Sequence, residues 1–300
     1  LKRSPEIFEG LGNTIESLSI IGGSNASVSF FPDSPTIRDF GLTNVDIEAG
    51  DGSCVGALEA TNNGIILYSY ATGHISAGAN AVVGGLVCAN FFQVLEGNIT
   101  QSFADVDVFG GANSIVGGLV GGNVATCTIH CRFNGHIDQS FALGSVSGGD
   151  GALAGGLVGE NKGGFISNSY AYGAVVGGNN SFVGGLVGVG ADIVDEAAVP
   201  AISESYSTGL TSGDSGALVG GLVGQDATDA QNTDDYWDLD TSGISDPSKG
   251  AGNIQNDPGI TGLTDAQLKS GLPAGFSPSI WKEKPTVNTG YPYLIDNPPG

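Results

Sequence analysis

The chain has 300 residues, 52 of them glycine and 40 % hydrophobic, and its 31 acidic against 9 basic side chains leave a net charge of −22. That charge disfavours nucleic acid and anionic membrane as partners, and no run of about 18 apolar residues offers a membrane-spanning helix. Glycine at more than twice its usual share, with no third-residue period and with Val, Ile, Leu and Phe spread throughout, excludes collagen and a disordered linker alike.

The chain opens Leu1-Lys2-Arg3 with no apolar signal core and contains no Met, which reads as a piece processed or excised from a longer protein. Residues 1–55 hold two irregular stretches, IFEGLGNTIESLSI and IRDFGLTNVDI, expected to form one or two starting rungs of the array that follows.

From residue 56 to 225 the chain repeats itself. Gly-Gly-Leu-Val begins at Gly84, Gly117, Gly155, Gly184 and Gly220, with a degenerate copy at Gly56. Each full copy lies 15 residues after a serine that opens Ser-Tyr/Phe-Ala/Ser: Ser69, Ser102, Ser140, Ser169 and Ser205. An Ile stands three residues before each serine, at Ile66, Ile99, Ile137, Ile166 and Ile202. The other half of the unit, from glycine to the next serine, varies between 13 and 23 residues. A fixed half with insertions at one point is the signature of a solenoid whose inserts fringe one edge. Glycine costs about 1 kcal/mol in a helix interior, so a helical solenoid is ruled out and a parallel β-helix remains.

Period-two alternation sets the side-chain directions. Counting from the serine, positions +2, +4 and +6 (Ala71-Gly73-Ile75, Ala142-Gly144-Val146, Ala171-Gly173-Val175) are small or branched and face inward. Positions +3 and +5 vary, as outward positions do. The same parity points Tyr70, Phe103, Phe141, Tyr170 and Tyr206 outward as a ladder at the ~4.8 Å strand spacing. A bare aromatic ladder is an aggregation hazard, so the rings are expected either to be covered, by turning inward or lying under the inserts, or to form a binding surface. The paired glycines are expected to make a corner that lets both Val83 and Leu86 reach the core.

Beyond Gly224 the pattern stops. Residues 226–300 read as a capping segment, with Thr264-Asp265-Ala266-Gln267-Leu268 as a short capped helix and Trp237, Phe276, Trp281, Tyr291 and Tyr293 as covering material.

The G-G-L-V-G units preceded by N-S-Y-A-x-G-x-V resemble the GLUG repeat, named for Gly-Leu-any-Gly. The ending YWD-x-DTSG…GLT-x-x-Q…GF…W…GYPYL resembles the segment that follows such repeats in filamentous-haemagglutinin-like exoproteins, and FEGLGNTIESLSI resembles their lead-in. The similarity covers nearly the whole chain. It implies large secreted or surface-held bacterial proteins with β-helical shafts, often adhesins, exported by two-partner secretion. The repeat also occurs beside bacterial immunoglobulin A peptidases, where it is not the catalytic part. No catalytic residue comes with the motif. Two departures stand out: no secretion domain precedes the repeats, and Cys88 replaces a motif glycine.

Four groups of residues could carry chemistry. Gly213-Asp214-Ser215-Gly216 spells a serine-protease nucleophile motif but occupies a repeat turn and has no His–Asp pairing. Cys127, His130, Cys131 and His136 crowd the longest insert. A local Cys127–Cys131 disulfide, free thiols and a zinc site are all open there, and Cys54 and Cys88, at unequal rung offsets, are expected as free thiols. Asp234, Asp235, Asp238 and Asp240, with Asp226 and Asp229 nearby, are oxygen ligands that could hold Ca2+ or simply form an acidic turn. Asp105 and Asp107 share an outward face, but Thr72/His74 and Leu143/Ser145 beside them do not complete a carboxylate cluster of the kind a glycoside hydrolase needs.

The expectation is therefore an all-β protein, a right-handed parallel β-helix (β-solenoid) of about 7–8 rungs with a C-terminal capping segment. It is divided into starting rungs (1–55), repeats (56–225) and cap (226–300). Its expected role is that of a non-enzymatic, secreted, cell-surface adhesive shaft without cofactor. It would bind a host or matrix glycan or protein through the inserts at 122–136 and 189–201. The alternatives are a fibre subunit stacking on copies of itself and, third, a β-helical carbohydrate-active enzyme.

Overall fold

The computed structural model describes residues 7–32, 36–91, 97–124, 135–191, 201–227 and 232–299. The described chain is all-β apart from one turn of α-helix and one of 3-10 helix, and its strands stack into three parallel sheets of 18, 7 and 6 strands, with one antiparallel pair, Trp281–Lys282 and Tyr293–Leu294, in the tail. The path is cyclic. Phe103–Gly110 runs in the first sheet, Ile115–Gly117 in the second and Val120–Val124 in the third, and His136–Asp138 then re-enters the first. Each strand pairs in register with its repeat equivalent above and below, as Phe103 does with Tyr70 and Phe141. This is the course of a parallel β-helix.

Three bends close each turn, and each has its own chemistry. Before every repeat serine stands a residue in the left-handed region: Tyr68, Gln101, Gln139, Asn168 and Glu204, with φ between 45° and 50°. That conformation is unfavourable for a non-glycine residue. The serine offsets it. Its Oγ donates to the carbonyl two residues back and accepts the backbone N–H of the serine one rung earlier, at 3.1–3.2 Å from Ser69 to Ser205. Asp235 ends this ladder by accepting Ser205 N–H at 2.9 Å. The second bend uses Asn80, Asn113, Gly151, Asn180 and Gly216 at positive φ, residue types that tolerate it.

The third bend is the Gly-Gly corner. A Cβ on Gly117 would lie 1.9 Å from Val120 O and 2.7 Å from Gly159 N of the next rung, so only glycine lets the second and third sheets meet this closely. The corner turns Val83 and Leu86 into the core together, as the sequence implied. Inward positions +2 and +6 are buried throughout, from Ala71 and Ile75 to Ala171 and Val175, and so are the five repeat isoleucines, whereas +4 is buried at Val106, Gly144 and Gly209 but only half-buried at Gly73 and Gly173.

Sequence reading missed a second interior ladder six residues after the corner glycines Gly56, Gly84, Gly117 and Gly155. Asn62, Asn90, Asn123 and Asn161 are buried, and their amides bond in series at 2.8–2.9 Å. Each of the last three also donates across the base of its insert: Asn90 to Gly97 O, Asn123 to Gly135 O and Asn161 to Gly164 O. The insert is thus tied off at its base whatever its length.

Cys54 and Cys88 are not free thiols: they form a disulfide with their Cα atoms 5.6 Å apart. Unequal offsets do not separate them. At the corner, position −2 of one rung lies over position +4 of the next, where Gly121 sits under Val82 and Gly159 under Ile115. Cys88 replaces that glycine, and its sulfur fills the space beneath Cys54.

The coil runs on past the repeats at both ends. Ile7–Glu16 and Ser19–Ile21 pair with Thr36–Ala49, while Asp235–Asp238 and Ile260–Leu263 add two strands to the first sheet at the other end. Thr264 then caps the helix Asp265–Leu268 with a reciprocal Gln267 contact, as the sequence suggested.

Gly117→Ala is expected to lower stability by about 3 kcal/mol or more, because backbone must move. Gly122→Ala is the control, its added Cβ meeting only Val124 Cγ2 at 3.4 Å. Urea midpoints of the two variants check this.

Candidate functional site

The serine bend throws the next side chain outward, so one aromatic ring per rung projects from the first sheet. Tyr70, Phe103, Phe141, Tyr170 and Tyr206 stack with centroids 4.8, 4.9, 4.8 and 5.1 Å apart and planes within 10° of parallel. Ring faces in such a column are occupied by neighbours, and only edges can meet solvent or a ligand. The end face is closed as well: the Tyr70 ring lies against Gly41, where a Cβ would come within 2.5 Å of Cζ.

The cover is the tail rather than the inserts. Leu268, Phe276, Trp281, Tyr291 and Leu294 pack onto Phe141, Tyr170, Tyr206 and Tyr236 as a second hydrophobic cluster outside the coil. Polar contacts fix its course. Tyr206 Oη donates to Pro292 O at 2.6 Å, Tyr236 Oη to Ala274 O at 2.9 Å and Trp281 Nε1 to Asn168 Oδ1 at 3.2 Å, and Asn297 reaches back to Ser102 O and Gln139 O. Phe141, Tyr170 and Tyr206 are accordingly core, not a surface for binding; Tyr70 and Phe103 stay half-buried beyond the tail. Burial lifts the Tyr170 and Tyr206 hydroxyls well above the usual tyrosine range.

The acidic residues proposed for calcium serve the tail and its turns. Asp235 accepts N–H groups of Ser205 and Thr233; Asp238 accepts those of Asp240 and Thr241; Asp240 accepts that of Asp265. Tyr291 Oη sits between Asp238, at 2.8 Å, and Asp265, and Lys269 Nζ pairs with Asp265 at 2.7 Å while lying 4.1 Å over the Tyr291 ring. Asp234 takes positive φ at the bend, its carboxylate against Gly275. A cation would have to displace donors already aimed at three of these four carboxylates. Among the described residues no three His, Cys, Asp or Glu side chains are grouped to hold a metal. Cys127, Cys131 and most of the inserts at 122–136 and 189–201 lie outside the described residues. Gly213 ends the strand Thr211–Gly213, and Asp214–Ala217 is a turn closed by Ala217 N–H to Asp214 O, with Gly216 at φ 77°.

Where the tail does not reach, the outer face is bare and charged. Register places His74 between Asp46 and Asp107, with Asp105 two residues from Asp107, all four exposed. Ser145 donates both its hydroxyl and its N–H to Asp107 Oδ1, at 2.6 and 2.9 Å, and these bonds, with His74 adding to them, hold the Asp107 carboxyl below its ordinary range. Asp46 was the member sequence reading missed, because it stands in the irregular starting rung, outside the serine count. In the +3 column of Asp105, the next two rungs carry Leu143 and Tyr172, which pack against the tail's cluster.

No family model and no curated protein matches the chain. Among solved structures it is similar to a putative immunoglobulin A1 protease from Bacteroides ovatus, with a TM-score of 0.59 and 20 % identity over 96 % of this chain and 77 % of that one. At that identity the likeness is one of fold. It corrects the expectation of a non-enzymatic protein: a chain of this fold is described as a protease, so the β-helix gives no ground for setting catalysis aside.

Tyr170 Oη is buried without a partner, whereas Tyr206 Oη has Pro292 O and Asn288. Tyr170→Phe is expected to be neutral or stabilising and Tyr206→Phe to cost about 1–2 kcal/mol, read from thermal unfolding. Deleting residues 264–300 should expose the ladder and raise binding of an apolar dye several-fold at unchanged far-ultraviolet β signal.

Proposed function

We propose that this chain is the stiff, surface-displayed segment of a secreted bacterial protein. It would be a right-handed parallel β-helix of about 7–8 rungs that engages a host or matrix partner along one long side. The observation that carries this reading is the division of the outer face, apolar and covered by the tail at one end, bare and lined by Asp46, His74, Asp105 and Asp107 at the other. The inserts connect strands of the third sheet to Asn98–Thr100, His136–Asp138 and Ala201–Ser203 of the first, the sheet that carries that face. A disulfide between rungs suits an oxidising, extracellular compartment. The charge favours a cationic partner, such as a basic protein segment or an amino sugar polymer, over an acidic one.

End-to-end association is a second reading with its own support. The starting strands expose Ile7, Leu11 and Ile21, and among the described residues the outer edge of Ile7–Glu16 has no strand beside it.

Surface-immobilised full chain is expected to retain basic matrix proteins or amino glycans at 50 mM salt. Asp46→Asn/Asp107→Asn and deletion of 125–134 should each weaken retention about tenfold or more. Retention unchanged in both would move the site off this face. Sedimentation over a concentration series separates the second reading, which expects long particles where display expects a single species.

A further inference from the structure

The first glycine corner of the coil, at Gly56, differs from the later ones in two ways. Cys54 and Cys88 replace an aliphatic–glycine contact with a covalent bond between consecutive rungs. Three residues after the corner glycine, Glu59 takes the position that Val87, Val120, Val158, Val187 and Val223 hold in the other rungs. It is 1 % exposed and neither carboxyl oxygen has a hydrogen-bond partner. Its register neighbours are apolar, Val87 on one side and Phe31 on the other. The charged groups on the strands packed around it are directed elsewhere: Asp39, Asp46, Glu48, Asp51 and His74 are exposed, and half-buried Arg38, its Nε without a partner, turns its Nη1 to Glu9 at 3.6 Å. A buried carboxylate without a partner costs several kcal/mol as the anion, so this rung is weakened where it is also stapled.

We propose that the Cys54–Cys88 bond and the buried Glu59 carboxyl make the starting rungs, residues 7–62, a conditional cap. It stays closed while the bond is intact or the carboxyl is protonated, and is released when the bond is reduced in alkaline surroundings. Two small thiols supply the two electrons and two protons that convert the cystine into two cysteine thiols, and they leave as their own disulfide. Release uncovers the edges of Tyr70–Ala77, Val82–Gly84 and Val87–Phe91, a fresh rung face able to accept strands from another chain. This inference is independent of the binding face described above.

Desolvation raises the Glu59 carboxyl from 4.5 to about 8. The opened rung therefore loses its proton first, and the closed state is fully favoured below pH 4.5 and loses stability as pH rises towards 8.

Hydrogen exchange of the whole protein tests the proposal, comparing residues 36–62 with residues 140–191. With the bond intact both regions should stay protected at pH 5.5 and 8.5. In Cys54→Val/Cys88→Gly, which restores the contact used by the other rungs, protection in 36–62 should fall by about a hundredfold between the two pH values, with 140–191 unchanged. A thiol at pH 8.5 should do the same to the unaltered chain. Adding Glu59→Val to the double variant should abolish the pH dependence and restore protection. Equal protection of 36–62 at both pH values in the double variant, or loss shared equally by 140–191, would overturn the proposal. So would failure of Glu59→Val to restore it.

Discussion

A backbone N–H in this coil has its carbonyl partner in the neighbouring rung, so every turn must repeat the path of the one before it at one strand spacing. The rest of the structure follows from that demand. Left-handed residues before the serines, glycines at the corner and Asn or Gly at the second bend recur because a bend of different shape would pull its carbonyls out of register. Side chains then reinforce the backbone ladder. Serine oxygens accept the N–H groups that the first bend frees, and asparagine amides join rung to rung inside the third. Tolerance of insertions has the same origin. At the bend where length varies, the amides of Asn90, Asn123 and Asn161 tie the chain leaving the third sheet to the residue re-entering the first, so in those rungs the loop between is outside the register problem.

Most features that repeat were legible in the sequence, and of those that occur once the capped helix Asp265–Leu268 was legible but the disulfide and the course of the tail were not. The 15-residue half, the inward isoleucines and the corner recur five times and the inward alanines four, and recurrence turns a weak propensity into a pattern. The asparagine ladder was equally visible six residues after the corner, yet one polar residue in a glycine-rich turn reads as loop chemistry until its burial is known. Cys54–Cys88 was lost for a geometric reason. Stacking was equated with equal offsets, whereas the corner folds two sheets together and makes −2 and +4 neighbours. Asp46 was lost because Thr36–Ala49 pairs with its neighbour through a register shift between Leu42 and Val45, which offsets any count carried down from the serines.

The aromatic ladder shows how a local rule can be right while its functional meaning changes. Alternation places the rings outside the coil, and they are outside. Their burial depends on residues 264–299, a segment without repeats whose destination no period predicts. The tail does carry an indirect signature. Beside the covered rings Phe141 and Tyr170 the outward +3 positions are apolar, at Leu143 and Tyr172, and beside Tyr70 and Phe103 they are polar, at Thr72 and Asp105, although Thr208 beside Tyr206 is polar and buried. Outward positions of a solenoid therefore record what covers them, and they can be read before the covering segment is located.

That record also bears on what the shaft can do. A ladder stacked face to face and closed by Gly41 has no free ring face, so it cannot grip a sugar by stacking even where Tyr70 and Phe103 reach solvent. Recognition along the bare face then falls to carboxylates, one imidazole and hydroxyls set out at rung spacing. Such groups discriminate by charge and by hydrogen bonding more than by burial of apolar area. The aromatic column is better understood as the seam that fastens the tail. By occupying one half of the outer face, the tail decides which half of the shaft remains open to a partner.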